Sequence, residues 1–171
     1  VAITGATSGI GRACADLLAS EVEVVAIGRD PTGLDALERA GCRPVGLDVS
    51  DRRSVDAAFG RIGPLDGLVL SAGVCRPEPI DGSGALDAWR AVMAVNLDGV
   101  FHTLRAAAGS LRRGAAVVVV SSGLGKVGRA GYSAYCASKH GVIGLSRALA
   151  LEWAERDVTV NAVCPGWVET R

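Results

Sequence analysis

Tyr135 and Lys139 have the residue types and the spacing to move a proton. They lie four residues apart in a helical pattern, so both side chains project from one face of the predicted helix. A neighbouring ammonium favours the ionised phenolate and lowers the pKa of a tyrosine, which would suit Tyr135 for acid–base chemistry. The pair alone is not decisive, because the same spacing also occurs by chance on surface helices.

A glycine-rich turn at residues 4–11 is the second stretch that indicates chemistry. Apolar residues 1–3 precede it as the end of a strand, and residues 12–20 follow it with a helical pattern. Glycines let a backbone approach a pyrophosphate, and the N-terminus of the following helix supplies N–H groups and a positive dipole end. The turn therefore predicts a dinucleotide site, with an ordinary glycine-rich turn as the alternative.

Apolar strands alternate with helical patterns along the rest of the chain. The predicted strands are residues 1–3, 22–27, 43–47, 65–70, 115–120 and 158–163, and the predicted helices are residues 12–20, 31–40, 52–60, 85–108 and 132–155. This alternation predicts an α/β fold, a single domain with a doubly wound Rossmann-type parallel sheet. Ligands of such sheets bind beyond the carboxyl ends of the strands, where the polar and glycine residues of this chain fall.

The composition narrows the function classes. The 171 residues carry 18 basic and 18 acidic side chains without a basic stripe, which argues against a nucleic-acid partner. The longest apolar run, residues 115–120, is too short to cross a membrane. The five cysteines and two histidines are scattered without metal-ligand spacing, so we expect no metal site and free thiols in a reducing cytoplasm.

Together these motifs resemble the classical short-chain dehydrogenase/reductase family over nearly all of the chain. The resemblance implies a bound NAD(P) cofactor and a defined set of contacts. The implied cofactor-binding residues are Gly5, Ser8, Gly9, Ile10, Gly11, Asp48, Val49, Ala72, Gly73, Tyr135, Lys139, Pro165, Gly166, Val168 and Thr170. The chain departs from the family at Leu70-Ser71-Ala72-Gly73, where two asparagines usually precede Ala-Gly, so the bracing of the sheet there is an open question.

The resemblance also implies a catalytic set of Asn96, Ser122, Tyr135 and Lys139, in which Ser122 precedes Tyr135 by thirteen residues. A carbonyl that accepts hydride develops negative charge on its oxygen, to which Ser122 can donate a hydrogen bond. Tyr135 can then donate the proton as general acid. In the family the lysine also bonds the nicotinamide ribose, and the asparagine holds a water of the proton relay. Asn96 could instead brace a bend of its helix near residues 96–99.

The end of the second predicted strand indicates the cofactor preference. An NAD enzyme needs a carboxylate there for the ribose 2′-hydroxyl, but position 28 is glycine. The next residue, Arg29, can pair with a 2′-phosphate. Asp30 competes for the ribose, yet with Pro31 it reads as the start of a helix. We predict that NADP(H) is preferred and that NAD(H) remains possible, since Ser8 adds no second positive charge.

The predicted activity is hydride transfer between NADP(H) and a small carbonyl or secondary alcohol. Residues 135–142 and 164–170 are similar to 3-oxoacyl and polyketide ketoreductases. A sugar-nucleotide epimerase or dehydratase of the extended branch shares Tyr-x3-Lys, although its glycine turn is spaced differently. A non-enzymatic dinucleotide-binding protein is the third possibility. Lys126 and Arg129 could meet an anionic group of a substrate, or could simply be solvated.

The long apolar helices predicted at residues 85–108 and 132–155 have more apolar surface than one sheet face needs. Together with the resemblance, they predict a homodimer or homotetramer packed through these helices. Residues 1–3 read as the end of a strand and residues 166–171 as a loop, so we expect a domain truncated at both ends. The last strand and the lid over the substrate would then lie outside residues 1–171.

Overall fold

The structure, a computed structural model, describes residues 1–169. Six parallel strands form one sheet in the order β3-β2-β1-β4-β5-β6, with helices in the connections. The strands are β1 (Ala2–Thr4), β2 (Val25–Gly28), β3 (Arg43–Gly46), β4 (Leu65–Leu70), β5 (Leu111–Val120) and β6 (Thr159–Val163). The helices are α1 (Gly9–Leu18), α2 (Pro31–Arg39), α3 (Arg52–Ile62), α4 (Ala85–Met93), α5 (Gly99–Ala107) and α6 (Ser133–Glu152). The predicted doubly wound parallel sheet is confirmed.

Apolar clusters lie on both faces of the sheet. They bury β1 and β2 completely, whereas alternate residues of β5 and β6, such as Ala116, Thr159 and Asn161, are exposed. Successive residues of a strand point to opposite faces, so Ala2 belongs to one apolar cluster and Ile3 to the other. In β2, Val25 and Ile27 join the first cluster and Ala26 the second. Helices α3, α5 and α6 cover the first face, while α1 and α2 cover the second.

Several element boundaries differ from the sequence-based prediction, and β2 begins at Val25 rather than at residue 22. Helix α1 begins at Gly9 rather than at residue 12, because Ser8 with its extended backbone already serves as N-cap. Strand β5 begins at Leu111, and its pairing with β4 is irregular between Leu65 and Gly67. Helix α6 ends at Glu152, where a short 3-10 turn (Ala154–Arg156) replaces the predicted last turn.

The helix predicted at residues 85–108 contains the expected irregularity. Helices α4 and α5 are joined by a π-helical turn (Ala94–Asp98), so the axis continues with one wide turn. Such turns are rare and often accompany functional residues. Within residues 1–169, no helix combines the length and the apolar character needed to cross a bilayer.

The strand order brings the glycine turn next to the loop after β4. Strand β1 lies between β2 and β4, and the Ser71 N–H donates to the Thr4 carbonyl at 3.2 Å. Gly5 has φ +67°, and a Cβ at this residue would stand 2.7 Å from the backbone of Ala72. Glycine is required here because the two loops touch through their backbones. The carboxyl ends of the central strands thus meet in one cleft.

Candidate active site

A cleft of about 600 Å³ opens at the carboxyl edge of the sheet. It is lined by most of the predicted site residues: Gly5, Ser8, Gly9, Ile10, Arg29, Asp48, Val49, Ala72, Gly73, Ser122, Tyr135, Lys139, Pro165, Gly166 and Val168. Two predicted residues, Gly11 and Asn96, are buried and do not line it. Thr170 lies outside the described residues. The cleft is also lined by residues to which the sequence analysis assigned no role, among them Cys75, Val95 and Ser121.

The glycine turn offers free backbone donors to an anion. Ser8 is the N-cap of α1, but its side chain makes no capping hydrogen bond, so the first N–H groups of the helix keep their capacity to donate. Gly9 adopts φ 54°, which favours glycine. Gly11 acts by packing, since a Cβ there would collide with the Gly5 carbonyl. This turn fits the pyrophosphate of a dinucleotide.

Tyr135 and Lys139 project from α6 into the cleft as the helical spacing predicts. The Lys139 Nζ lies 5.6 Å from the centroid of the Tyr135 ring and donates to the Val120 carbonyl at 2.9 Å. Lys139 is only 5% exposed. Burial penalises its ammonium and lowers the pKa of Lys139 to about 8. The lysine can therefore gain or lose a proton close to neutral pH.

The pKa of Tyr135 shifts in the direction opposite to the sequence-based expectation. Burial of the phenol raises this pKa, and the nearby Ser122 hydroxyl opposes the shift without reversing it. The expectation that Lys139 lowers the tyrosine pKa is wrong for this arrangement, because desolvation of the phenolate dominates. Tyr135 is therefore a protonated phenol at neutral pH and holds a proton that it can donate.

Ser122 follows the end of β5 and opens a 3-10 turn (Gly123–Gly125). Its hydroxyl oxygen accepts from the Leu124 N–H at 3.2 Å. That contact orients the side chain and uses only the oxygen, so the hydroxyl proton remains available to an acceptor in the cleft.

Ser121 is a positioning residue that sequence reasoning missed. Its hydroxyl donates to the Lys139 carbonyl at 2.9 Å, while the Lys139 ammonium donates to Val120. Both contacts tie α6 to the end of β5. Gly125 allows this approach, because a Cβ there would stand 2.5 Å from the Ser121 hydroxyl. Only the folded structure reveals this anchoring, since the partners are distant in sequence.

Asn96 braces the loop after β4. Its Oδ1 accepts from the Val74 N–H at 2.8 Å, and its Nδ2 donates to the Val74 carbonyl at 2.9 Å and to the Ser138 hydroxyl at 3.2 Å. Ser138 in turn donates to the Tyr135 carbonyl at 2.8 Å. The fully buried Asn96 thus joins the π-helical turn to α6 and to the loop. Asn96 therefore braces neighbouring segments, namely the loop after β4 and α6. The alternative drawn from the sequence was that it braces the bend of its own helix.

The loop that departs from the family pattern is held by other groups. The Ala72 N–H donates to the Thr4 hydroxyl at 3.3 Å, in addition to the bond between the Ser71 N–H and the Thr4 carbonyl. Asn96 holds the next residue but one, Val74. These contacts fix the Ala-Gly pair at the cleft wall without the two asparagine side chains of the family.

The far end of the cleft carries an ion pair. Arg29 Nη1 lies 3.0 Å from Asp48 Oδ2, and the arginine side chain is 62% exposed. Burial raises the pKa of Asp48, but hydrogen bonds from Ser50 and Arg29 outweigh it and lower the pKa overall. The sequence analysis predicted that both residues bind the cofactor, but it did not predict that they contact each other. Arg29 can leave Asp48 for a more highly charged anion, because exposed ion pairs contribute little to the stability of a protein.

Two neighbours of Arg29 have structural roles. Position 28 is closed to a side chain, because a Cβ on Gly28 would stand 2.6 Å from Thr7 Cγ2. Asp30 is the N-cap of α2, where its Oδ2 accepts from the Gly33 N–H at 2.9 Å, with proline at the first helical position. Position 28 therefore has no carboxylate for a ribose hydroxyl, and Asp30, which lines the cleft, uses one of its two carboxylate oxygens in the cap.

The model of the family described as short chain dehydrogenase matches residues 1–171. The chain belongs to the short-chain dehydrogenase family. The resemblance found in the sequence is thereby confirmed. This short-chain dehydrogenase is an NAD(P)-dependent oxidoreductase, as its dehydrogenase and reductase relatives also indicate.

Two curated relatives illustrate the range of the family. The cis-4-hydroxycyclohexanecarboxylate dehydrogenase of Sinomonas cyclohexanicum is 43% identical, over 98% of this short-chain dehydrogenase and 72% of the relative. The 3-oxoacyl-acyl-carrier-protein reductase of Haemophilus influenzae is 34% identical, over 98% of this chain and 73% of the relative.

Two solved structures are similar to this short-chain dehydrogenase over almost its whole length. A structure described as ribose-5-phosphate isomerase from Brucella melitensis 16M has a TM-score of 0.91 and 36% identity, covering 99% of this chain and 68% of its own. A short chain dehydrogenase from Burkholderia cenocepacia J2315 in complex with NADP has a TM-score of 0.89 and 34% identity, covering 99% and 74%.

Proposed function

We propose that this protein transfers a hydride between NADP(H) and a small carbonyl or secondary alcohol, with Tyr135 as general acid or base. The observation that carries the proposal is the convergence of Ser122, Tyr135 and Lys139 on the cleft that also contains the glycine turn. A proton donor, a second hydrogen-bond donor and a basic amine thus share one cavity with an anion-binding helix N-terminus.

The proposed roles follow from the protonation states. The nicotinamide, when bound, supplies or accepts the hydride. In reduction, Ser122 donates a hydrogen bond to the substrate oxygen and Tyr135 transfers its proton to that oxygen. The raised pKa of Tyr135 keeps the phenol protonated beforehand. Lys139, whose pKa is lowered to about 8 and whose Nζ lies 5.6 Å from the centroid of the Tyr135 ring, is the neighbouring base from which the proton is restored through water, and Asn96 ties the π-helical turn to α6.

We propose that the cofactor is NADP(H) rather than NAD(H). The 2′-phosphate would replace Asp48 as the partner of Arg29, whose exposed side chain can turn towards it. The closed position at Gly28 and the capping role of Asp30 support this choice, because the first has no carboxylate and the second already uses one carboxylate oxygen within its helix.

The substrate class is proposed from the relatives. One relative is named as a dehydrogenase of a cyclic hydroxy acid, which carries a secondary alcohol. Another is named as a reductase of a 3-oxoacyl group, which carries a ketone. We therefore propose a small carbonyl or alcohol substrate, with a ketoreductase as the first activity to assay. We also propose a cytoplasmic location, since the five free thiols suit a reducing compartment.

Replacement of the proton donor tests the proposal. Tyr135→Phe keeps the ring and removes the hydroxyl, so turnover of a ketone panel with NADPH should fall by roughly 10²–10⁴. NADPH binding, measured by calorimetry, should persist. Ser133→Ala, at an exposed position on the same helix, is the control. Near-normal turnover by Tyr135→Phe would refute the assignment, and binding without turnover by the wild type would favour a non-enzymatic dinucleotide-binding protein.

A further inference from the structure

The segment after β6, residues 165–169, joins two walls of the cleft. The Pro165 carbonyl accepts from the Gly123 N–H at 2.8 Å, which attaches the segment to the loop after β5. Val168 lines the cleft and, together with Glu169, also lines a smaller cavity beside Ile10 in the first turn of α1. The segment therefore bridges the loop after β5 and the first turn of α1, on opposite sides of the cleft.

Burial does not hold this segment in place, since residues 166–169 are all exposed. The Trp167 side chain is 87% exposed, although its neighbours Gly166 and Val168 both line the cleft. The guanidinium carbon of Arg129 lies 5.6 Å from the centroid of the Trp167 ring and 4.9 Å from that of Tyr132. Both distances are within the range of a cation–π contact. Arg129 thus contacts one aromatic ring in the loop after β5, Tyr132, and one in the segment of residues 165–169, Trp167.

We propose that Arg129 is a positioning residue that holds the segment of residues 165–169 against the loop after β5 and so fixes the cleft wall formed by Gly166 and Val168. This inference rests on the proposed function only in taking NADPH as the ligand of the cleft. A guanidinium can hold two rings because it is planar and keeps its charge at every relevant pH.

The expected effect is modest because the contacts are exposed. An exposed cation–π contact changes an equilibrium by roughly two- to fivefold, so loss of Arg129 should weaken NADPH binding by about that factor. Turnover at saturating NADPH should change less, because the groups that meet the substrate are held by Ser121, Asn96 and α6. This separation of KM from kcat distinguishes a positioning role from general damage to the fold.

Fluorine NMR of protein labelled with 5-fluorotryptophan tests the contact directly. The chain has three tryptophans, and Trp167→Phe assigns the resonance of Trp167. Arg129→Ala should shift and narrow that resonance and leave those of Trp89 and Trp153 unchanged. Lys126→Ala removes the same charge from the same loop without touching either ring, so it is the matched control.

The same variants are then titrated with NADPH by calorimetry. Arg129→Ala and Trp167→Ala should weaken binding two- to fivefold, Trp167→Phe should bind nearly as wild type, and Lys126→Ala should change neither readout. An unshifted Trp167 resonance in Arg129→Ala, or unchanged NADPH affinity despite a shifted resonance, would overturn the proposal. Equal weakening by Lys126→Ala would overturn it in favour of a general charge effect. If the wild type binds no NADPH, the proposed function fails, whereas the resonance shift still tests the contact.

Discussion

Lys139 combines burial with a positive charge at the catalytic helix. Folding places its ammonium at 5% exposure, with the Val120 carbonyl as hydrogen-bond partner. Lowering the pKa from 10.5 to about 8 corresponds to a penalty of about 3 kcal/mol on the protonated form. The folded unliganded protein therefore carries a cost at neutral pH that serves the chemistry.

Lys139→Met should consequently stabilise the unliganded protein while removing activity. At pH 7 we expect the free energy of unfolding to rise by about 1–3 kcal/mol, since the lost bond to Val120 offsets part of the gain. The wild type binds fewer protons folded than unfolded between about pH 8 and 10.5, so its stability from this group rises with pH. The advantage of the variant should thus shrink by about 1 kcal/mol between pH 7 and 9.

Urea unfolding of the cofactor-free protein at both pH values measures this difference. Arg147→Met removes an exposed cation from the same helix and should give a small, pH-independent change. The comparison is made in a Cys75→Ser background, because the charges of Cys75 and Lys139 interact and removal of the lysine would alter the titration of that thiol. An advantage of Lys139→Met that stays constant across this range would contradict the lowered pKa.

Arg29 is predicted to decide between the two cofactors. Loss of a charge-assisted contact to the 2′-phosphate should cost about 1.5–3 kcal/mol, so Arg29→Ala should weaken NADPH binding roughly tenfold or more. NADH binding should change little. Calorimetry of both cofactors against Arg29→Ala, with Arg39→Ala on an exposed part of α2 as control, gives the answer. Equal weakening of both cofactors, or a wild-type preference for NADH, would assign the ribose to Asp30 instead.

At the scale of elements, the Asn96 side chain joins the π-helical turn between α4 and α5 to the loop after β4 and to α6. Asn96→Ala leaves the Val74 N–H and carbonyl without their side-chain partners, which should lower the free energy of unfolding by about 2–4 kcal/mol. Chemical denaturation measures the loss. Asn161→Ala on β6 is the matched control, because it removes the other asparagine at an exposed position. Full stability with lost turnover would instead favour the water-holding role.

The order of the elements could be predicted from the sequence because it depends on local patterns. A few residues are enough to recognise the apolar runs of β4 and β5. The same holds for the start of α2 at Asp30-Pro31. The contacts that tune the site could not be predicted, since they join distant segments. The Arg29–Asp48 pair and the burial that sets the pKa of Lys139 exist only once the strands are assembled.

At the scale of the whole molecule, exposed apolar side chains remain on the helices expected to form a subunit interface. Leu86 and Trp89 on α4 are 68% and 42% exposed, Phe101 on α5 is 50% exposed and Leu151 on α6 is 81% exposed. We predict a homodimer or homotetramer packed through these helices. Light scattering at micromolar concentration should give a multiple of the monomer mass, and Phe101→Glu should reduce it. A wild-type monomer would contradict the prediction.

The central position of β1 also has a consequence for how the chain folds. Each of the three residues of β1 pairs with β2 on one side and with β4 on the other; Ala2, for example, pairs with Val25 and with Leu68. This short strand therefore connects the two halves of the sheet. Neither half can complete its hydrogen bonds until a contact of long sequence separation has formed. Such contacts form slowly, because the entropy of closing a long loop opposes them until they are made. We therefore expect the junction that creates the cleft to be among the last contacts to form during folding.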